Sequence, residues 1–295
     1  MTIWQQHQFT SEVSTIETRK RTSLLVLLLP AIIFLFVFFV CPLLIVLLYS
    51  FLERGTYGGV SWIFTLNNYQ RLANSIYWIV LWRSCWLAFL TTVACLLFGY
   101  PIAFFIATRP QPWRNILLLL IIIPFWTNFL VRTYAWMVLM RTDGVIDLIL
   151  QSLHLTNKSL NLLFTPFAVA VGLIYGYLPF MILPLYATIE RFNFSLIEAA
   201  HDLGANDWRT FWRIIIPLTK RGIFAGSLLV FIPSVGAFIT PDLLGGAKTL
   251  MIGNLIQNQF IKARDWPFGS TLSILMMAVI LIPLLFYLRM SEKDV

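Results

Sequence analysis

The chain has 295 residues, of which 59% are hydrophobic and 12% charged, against about 25% charged residues in a typical soluble domain. So few polar residues cannot cover a water-soluble globule, and the composition selects an integral membrane protein. The net charge of +8 does not indicate a nucleic-acid partner, because the basic residues are scattered at the ends of apolar runs rather than gathered on one polar domain.

In chain order, residues 1–23 form a polar tail ending in Arg19-Lys20-Arg21. The run from Leu24 to Tyr49 carries no charge over 26 residues, well beyond the roughly 7–15 of a signal-peptide core. It reads as a first membrane span. Residues 50–83 form a connection with Gly55, Gly58 and Gly59, and its Ile76–Trp82 piece reads as interfacial. A second span is predicted over Ser84–Thr108, kinked at Pro101. A basic turn through Arg109, Pro110, Pro112 and Arg114 leads to a third span, Ile116–Met137. After a polar link, Arg141–Thr165, a fourth span covers Pro166–Ile189 and contains Pro179 and Pro184. A polar loop over 190–222 precedes a fifth span, Ile223–Thr240, with Gly226, Ser227, Pro233, Ser234 and Gly236. A last link, Asp242–Trp266, precedes a sixth span, Phe268–Leu288. The expected organisation is a tail (1–23), an all-α membrane domain of about six spans (24–290) and a short tail (291–295).

Six spans put both termini on one side. That side carries twelve lysines and arginines against eight on the other, and carries them in shorter links. The bias predicts that both termini, and the 190–222 loop, are cytoplasmic.

That loop is the one long polar, helix-patterned segment between apolar ones. Ser195 followed by Glu198 has the spacing of a capping box. Leu196, Ala200 and Leu203 recur on one helical face. Gly204 is placed to close the helix in the left-handed conformation. Asn206 is placed to cap a second short helix, with Asp207 near its positive end. Trp208, Phe211, Trp212 and Ile215 form its apolar face, and Pro217 is expected to end it. Two short helices at an angle, each with one apolar and one charged face, make a docking device. An amphipathic helix resting on lipid is the competing reading, but it needs neither the glycine break nor the returning proline.

The spacing Glu198-Ala199-Ala200, Gly204, Ile214, Ile216-Pro217 resembles the EAA loop of ABC importer permeases, with isoleucine in place of the usual leucine before the proline. The resemblance implies the type I ABC importer permease fold and a loop that docks on separate ATPase subunits. By this resemblance Glu198, Ala199, Ala200, Gly204, Trp208, Phe211, Ile214 and Pro217 are the coupling residues. ATP and Mg would then be held by the partner subunits, with no cofactor in this chain.

The residues themselves agree with the last point. Gly245-Gly246-Ala247-Lys248-Thr249 lacks the glycine directly before the lysine that a phosphate-binding loop needs. His7, His154 and His201 stand apart, without metal-ligand spacing, and Cys41, Cys85 and Cys95 lie in or beside apolar runs. No nucleophile, base and orienting group can be assembled.

Candidate pathway residues come from the spans. Trp126, Asn128 and Tyr134 lie on the third span, where Asn128 and Arg132 are one turn apart. Intramembrane polar groups are functional candidates because burying them unpaired is costly. Snorkelling of Arg132 to the interface is the alternative. Ser234 lies on the proline- and glycine-interrupted fifth span, and Asp242 follows its end. Asp242 is either an acid at a pore mouth or a solvated helix-end residue.

Four further segments extend the likeness: Pro124–Asn128, Asp242–Lys248, Ile252-Gly253-Asn254 and Asp265–Gly269. They resemble the spermidine/putrescine permeases of the B-subunit type. That implies import of polyamines through a bacterial inner membrane, two ATPase copies, a second related permease and an extracytoplasmic substrate-binding protein. Related permeases for ferric ion, sulfate, phosphonates and opines share the fold. An ion-gradient-driven secondary transporter would instead carry internal repeats and paired intramembrane acids, and neither is evident in the sequence.

Overall fold

The computed structural model describes residues 27–154 and 160–292. The predicted terminal tails lie largely outside them, and what is described at the C-terminus is helix up to Glu292. Helices long and apolar enough to cross a membrane are α1 (Leu27–Ser50), α3 (Ser75–Ala107), α7 (Pro166–Glu190), α9 (Asp207–Val235) and α11, which runs from Trp266 to Glu292. Between them lie a hairpin of β1 (Leu52–Arg54) and β2 (Val60–Phe64), the short α2 (Asn67–Arg71), α4 (Gln111–Trp126), α5 (Phe129–Met140), α6 (Val145–Ser152), α8 (Ser195–Asp202) and α10 (Ile252–Ile261). The five long helices become six spans if the bent pair Gln111–Trp126 and Phe129–Ser152 counts as one.

Three predicted spans are corrected. The second begins at Ser75, so the Ile76–Trp82 piece is its first turns and not a separate interfacial segment. Asn74 starts it, accepting from the Ile76 amide at 3.1 Å. The helix then runs unbroken through Pro101.

The third span is two helices bent by 89°. At the break, Thr127 and Asn128 are extended. The Thr127 hydroxyl donates to the Pro124 carbonyl at 2.7 Å, and Asn128 Oδ1 accepts from the Leu130 amide at 2.8 Å. These side chains supply the partners the backbone loses there, which makes a bend affordable inside an apolar run.

The fifth span starts at Asp207, not Ile223, and ends at Val235, not Thr240. Pro217 does not end the second loop helix. A wide π-turn, Phe211–Ile215, precedes it, and the helix continues as Ile216–Val235. A proline has no N–H and its ring crowds the carbonyl four residues back; the wider turn relieves both. Phe36–Val40 stands in the same relation to Pro42 in α1.

The core is where α3, α7 and α9 cross. Cys95, Tyr100, Ala103, Met181, Ile182, Leu185 and Val230 are buried together. Small residues allow the approach: a Cβ added at Gly226 would lie 2.8 Å from Met181 Sδ and 3.1 Å from its carbonyl oxygen. The Tyr100 hydroxyl reaches Thr219 Oγ1 at 3.0 Å, pairing two buried hydroxyls across this crossing. In contrast, the most apolar window of α1 has no buried residue.

At one end, the hairpin is tied to the α10–α11 turn. Arg54 Nη2 donates to the Ala263 carbonyl at 2.7 Å, and the Gly59 amide to that of Arg264 at 2.8 Å. Arg71 pairs with the buried Asp265 at 2.8 Å and lies 3.8 Å above the Phe268 ring. Asp265 also accepts from the Phe268 amide at 3.2 Å, starting α11. One carboxylate therefore anchors a loop and caps a span. Asp265→Ala is expected to lower stability by about 1–3 kcal/mol, read as a lower thermal midpoint in detergent. Asp265→Asn, which keeps an oxygen for the cap, should lose less.

Candidate functional site

Two regions stand out: the face built on the 190–222 loop, where docking is expected from the sequence, and a cleft at the far end of α9.

On the docking face, the predicted capping box does not form. The amide and hydroxyl of Ser195 both donate to Asn193 Oδ1, at 3.1 and 2.8 Å. The Asn193 carbonyl already accepts from the Leu196 amide, so asparagine starts the helix and Ser195 sits within its first turn. Glu198 is thereby left out of the cap. It is exposed and makes no salt bridge among the described residues.

The helix ends at Gly204, whose φ is +81°. The Gly204 amide donates to the His201 carbonyl and that of Ala205 to Ala200, at 2.8 and 2.9 Å, the pattern of a left-handed helix stop. Asn206 Oδ1 then accepts from the Arg209 amide at 2.9 Å and starts α9. The inner face is Ala200 with Ile197; Leu196 and Leu203 point outward, Leu203 being 89% exposed. Eight residues are too few for a wide buried stripe, and the core here accepts only one row of side chains.

Between α8 and the first turns of α9 lies a groove of about 480 Å³, floored by Phe104 of α3 and walled by Ile197, Phe211 and Ile215. His201 Nε2 and Asp207 Oδ1 are 3.2 Å apart across it. Trp208 and Trp212 stack edge to face at 5.7 Å and remain exposed. Ala199 and Pro217 are exposed, and Ile214 is half-buried. Sequence reasoning missed Phe104, which reaches the groove from a different span; nothing local marks it.

The cleft, about 300 Å³, is lined by Phe125 of α4, Phe129 and Arg132 of α5, Tyr177 and Phe180 of α7, Pro233 of α9, and the turn from Gly236 to Thr240. Phe125 and Phe180 meet edge to face at 5.0 Å. The turn's backbone is braced from behind. Asn254 Nδ2 donates to the Phe238 carbonyl at 2.7 Å, and a Cβ at Gly253 would lie 2.5 Å from the Gly236 oxygen. The Ile252-Gly253-Asn254 segment is therefore a support for the cleft wall.

None of the five candidate pathway residues lines this cleft. Trp126 and Tyr134 point away from the chain, 80% and 52% exposed. Asn128 is spent on capping α5, and Ser234 is buried, donating to the Val230 carbonyl at 2.6 Å. Asp242 is exposed on a π-turn, Pro241–Gly245, just beyond the cleft. For the third-span residues the 89° bend is the reason: Trp126 and Tyr134 now lie on two different half-helices rather than on neighbouring turns of one straight span.

A family model described as a binding-protein-dependent transport system inner membrane component matches residues 99–295. The chain belongs to this family. The permease is 47% identical over 258 residues to the spermidine/putrescine transport system permease protein PotB of Escherichia coli strain K12, covering 88% of this chain and 93% of that one. It is 42% identical to PotB of Haemophilus influenzae, covering 89% and 92%. Among solved structures it resembles a chain of a bacterial ABC transporter that imports the acidic polysaccharide alginate. The TM-score there is 0.68 at 20% identity, covering 95% of this chain and 99% of that one. The methionine transporter MetNI in inward-facing form gives 0.54 at 15% identity, covering 75% and 99%. The permease is thus a multi-pass inner-membrane subunit of type I importer fold that works with ABC transporter partners.

A Cβ at Gly204 would touch nothing within 4 Å, so the demand there is on the backbone alone. Gly204→Asn, which tolerates positive φ, is expected to keep the loop's shape, whereas Gly204→Val is expected to lose it. Hydrogen exchange of the 195–210 amides in the assembled complex checks this: only valine should raise it.

Proposed function

We propose that the chain is one permease subunit of an ATP-driven importer of polyamines, spermidine or putrescine, with both termini and the 190–222 loop cytoplasmic. The cargo reading rests on the 47% identity to PotB over 88% of the chain, since fold alone is shared with importers of quite different solutes. Two ATPase subunits would dock on the loop, a second permease would complete the pathway, and a binding protein would deliver from outside. ATP and Mg would be bound by the ATPases.

The observation that carries the mechanism is the continuity of α9. One helix of 29 residues, Asp207–Val235, begins in the docking groove and ends at the cleft wall. At about 1.5 Å per residue it spans roughly 43 Å, more than the membrane's hydrocarbon core of about 30 Å. A hydrogen-bonded helix transmits a push along its axis, where a flexible link would absorb it. The ATPases, closing on ATP, would grip Trp208 and Phe211 and drive α9 as a lever. Gly204 holds α8 at its angle to that lever. Ala199 and Ala200 leave room for close approach, Ile214 and Pro217 belong to the turn that joins the docking end to the span, and Glu198 offers its uncommitted carboxylate to a basic residue on the ATPase.

Three outcomes follow. Glu198→Lys in the full transporter is expected to lower spermidine uptake into right-side-out vesicles or proteoliposomes, with ATP on the cytoplasmic face, at least tenfold at normal expression, with ATPase subunits lost on purification. Uptake equal to wild type in that variant contradicts the docking role. Spermidine or putrescine, but not sulfate, should be concentrated by the wild-type system; movement of anions alone overturns the cargo. The purified chain without ATPases is expected not to bind labelled ATP.

A further inference from the structure

Arg132 places a fixed positive charge in the cleft at the end of α9. No aspartate or glutamate lines that cleft, so the guanidinium is held there by something other than a carboxylate. Aromatic faces take that role: its central carbon lies 5.0 Å from the Phe125 ring centre and 5.7 Å from that of Phe129. Both distances are within the range in which a ring face attracts a cation. The rings flank the 89° break, so one side chain bridges the two half-helices.

The other walls are also suited to a cation. The C-terminal end of α9 lies beside the cleft, which Pro233 and Gly236 line, and carries the helix's negative partial charge. Thr240 is 1% exposed and lines the cleft, and its Oγ1 has no hydrogen-bond partner. A buried hydroxyl without a partner is costly, and its lone pairs suit an N–H donor. Arg132 Nε is buried without an acceptor, so the rings, not hydrogen bonds at Nε, hold the guanidinium, and it can be exchanged.

We infer that this cleft is a subsite for a primary ammonium group, and that Arg132 occupies its aromatic faces as a tethered stand-in. An arriving substrate ammonium takes the ring faces and the Thr240 hydroxyl while Arg132 swings aside. With substrate gone, the guanidinium returns and its charge shortens the next stay. A path that must release what it binds needs such a competitor, because a strongly attractive cage would retain a polycation. The inference rests on the polyamine reading of the cargo.

The test is equilibrium binding of radiolabelled spermidine to the assembled permease–ATPase complex in nanodiscs, without binding protein, beside uptake by the full system. Arg132→Gln is expected to bind about 2- to 30-fold more tightly than wild type, the span that cation–aromatic attraction covers. Arg132→Lys should stay within about twofold of wild type, since it restores a competing cation. Phe125→Leu added to Arg132→Gln should remove the gain, because Phe125 is the nearer of the two rings that the guanidinium vacates. If Arg132→Gln fails to assemble, Arg132→Met, which keeps the apolar stem, serves the same comparison. Unchanged or weaker spermidine binding in Arg132→Gln, or a gain that survives Phe125→Leu, overturns the subsite. So does labelled sulfate that binds wild type and is lost in Arg132→Gln, which would mark an anion site. Spermidine uptake by wild type alongside any of these leaves the polyamine reading standing; no spermidine uptake at all overturns both.

Discussion

Within a bilayer each backbone N–H and C=O must find its partner inside the protein, because no water can supply one. That constraint makes this chain helical and decides where it can stop being so. The third span bends only where Thr127 and Asn128 hold the interrupted backbone. Both π-turns described above, in α1 and α9, stand just ahead of a proline, where the ordinary ladder would be missing a donor anyway. The polar loop closes α8 with Gly204 and opens α9 with Asn206. Each of these departures from regular helix has its own local backbone solution.

With the helices given, packing decides which of them act together. Small residues on α9 let it press against α7, and α3 closes the third side. Because α9 is clamped along much of its length and is unbroken at Pro217, its two ends cannot move independently. The groove and the cleft lie at the two ends of that one helix, which is what the proposed coupling needs. Such coupling needs no chain of residues relaying a signal; it needs a rigid helix and two partners that each prefer one of its positions.

The cleft also shows why architecture leaves cargo undetermined. Chains of similar architecture serve transporters of an acidic polysaccharide and of methionine. The cleft at the end of α9 is lined by phenyl rings, a tyrosine, a threonine and one arginine among smaller and aliphatic residues. Ring faces and helix carbonyl ends favour cations without the desolvation cost that a buried carboxylate would bring.

Much was legible without coordinates, for reasons that are local. Span number and approximate place follow from uncharged run length, as with α1 and α7. The stop at Gly204 and the cap at Asn206 follow from side chains acting on their own backbone. The same locality explains the failures. Ser195 and Asn193 compete for one helix start, and the choice depends on how α8 meets the core. Pro217 reads as a stop unless a π-turn precedes it, and π-turns leave no signature in residue type. Trp126, Asn128 and Tyr134 lie on an apolar run that a straight helix fits as well as a bent one. The sequence by itself determined a membrane-spanning helical chain with a polar loop patterned for docking, because burial, charge and capping act over a few residues. Only the tertiary structure decided that Phe104 floors the groove, that α9 joins groove to cleft, and that Arg132 sits between Phe125 and Phe129. Those relations bring together residues far apart in the chain, and they arise from helix packing and a single 89° bend.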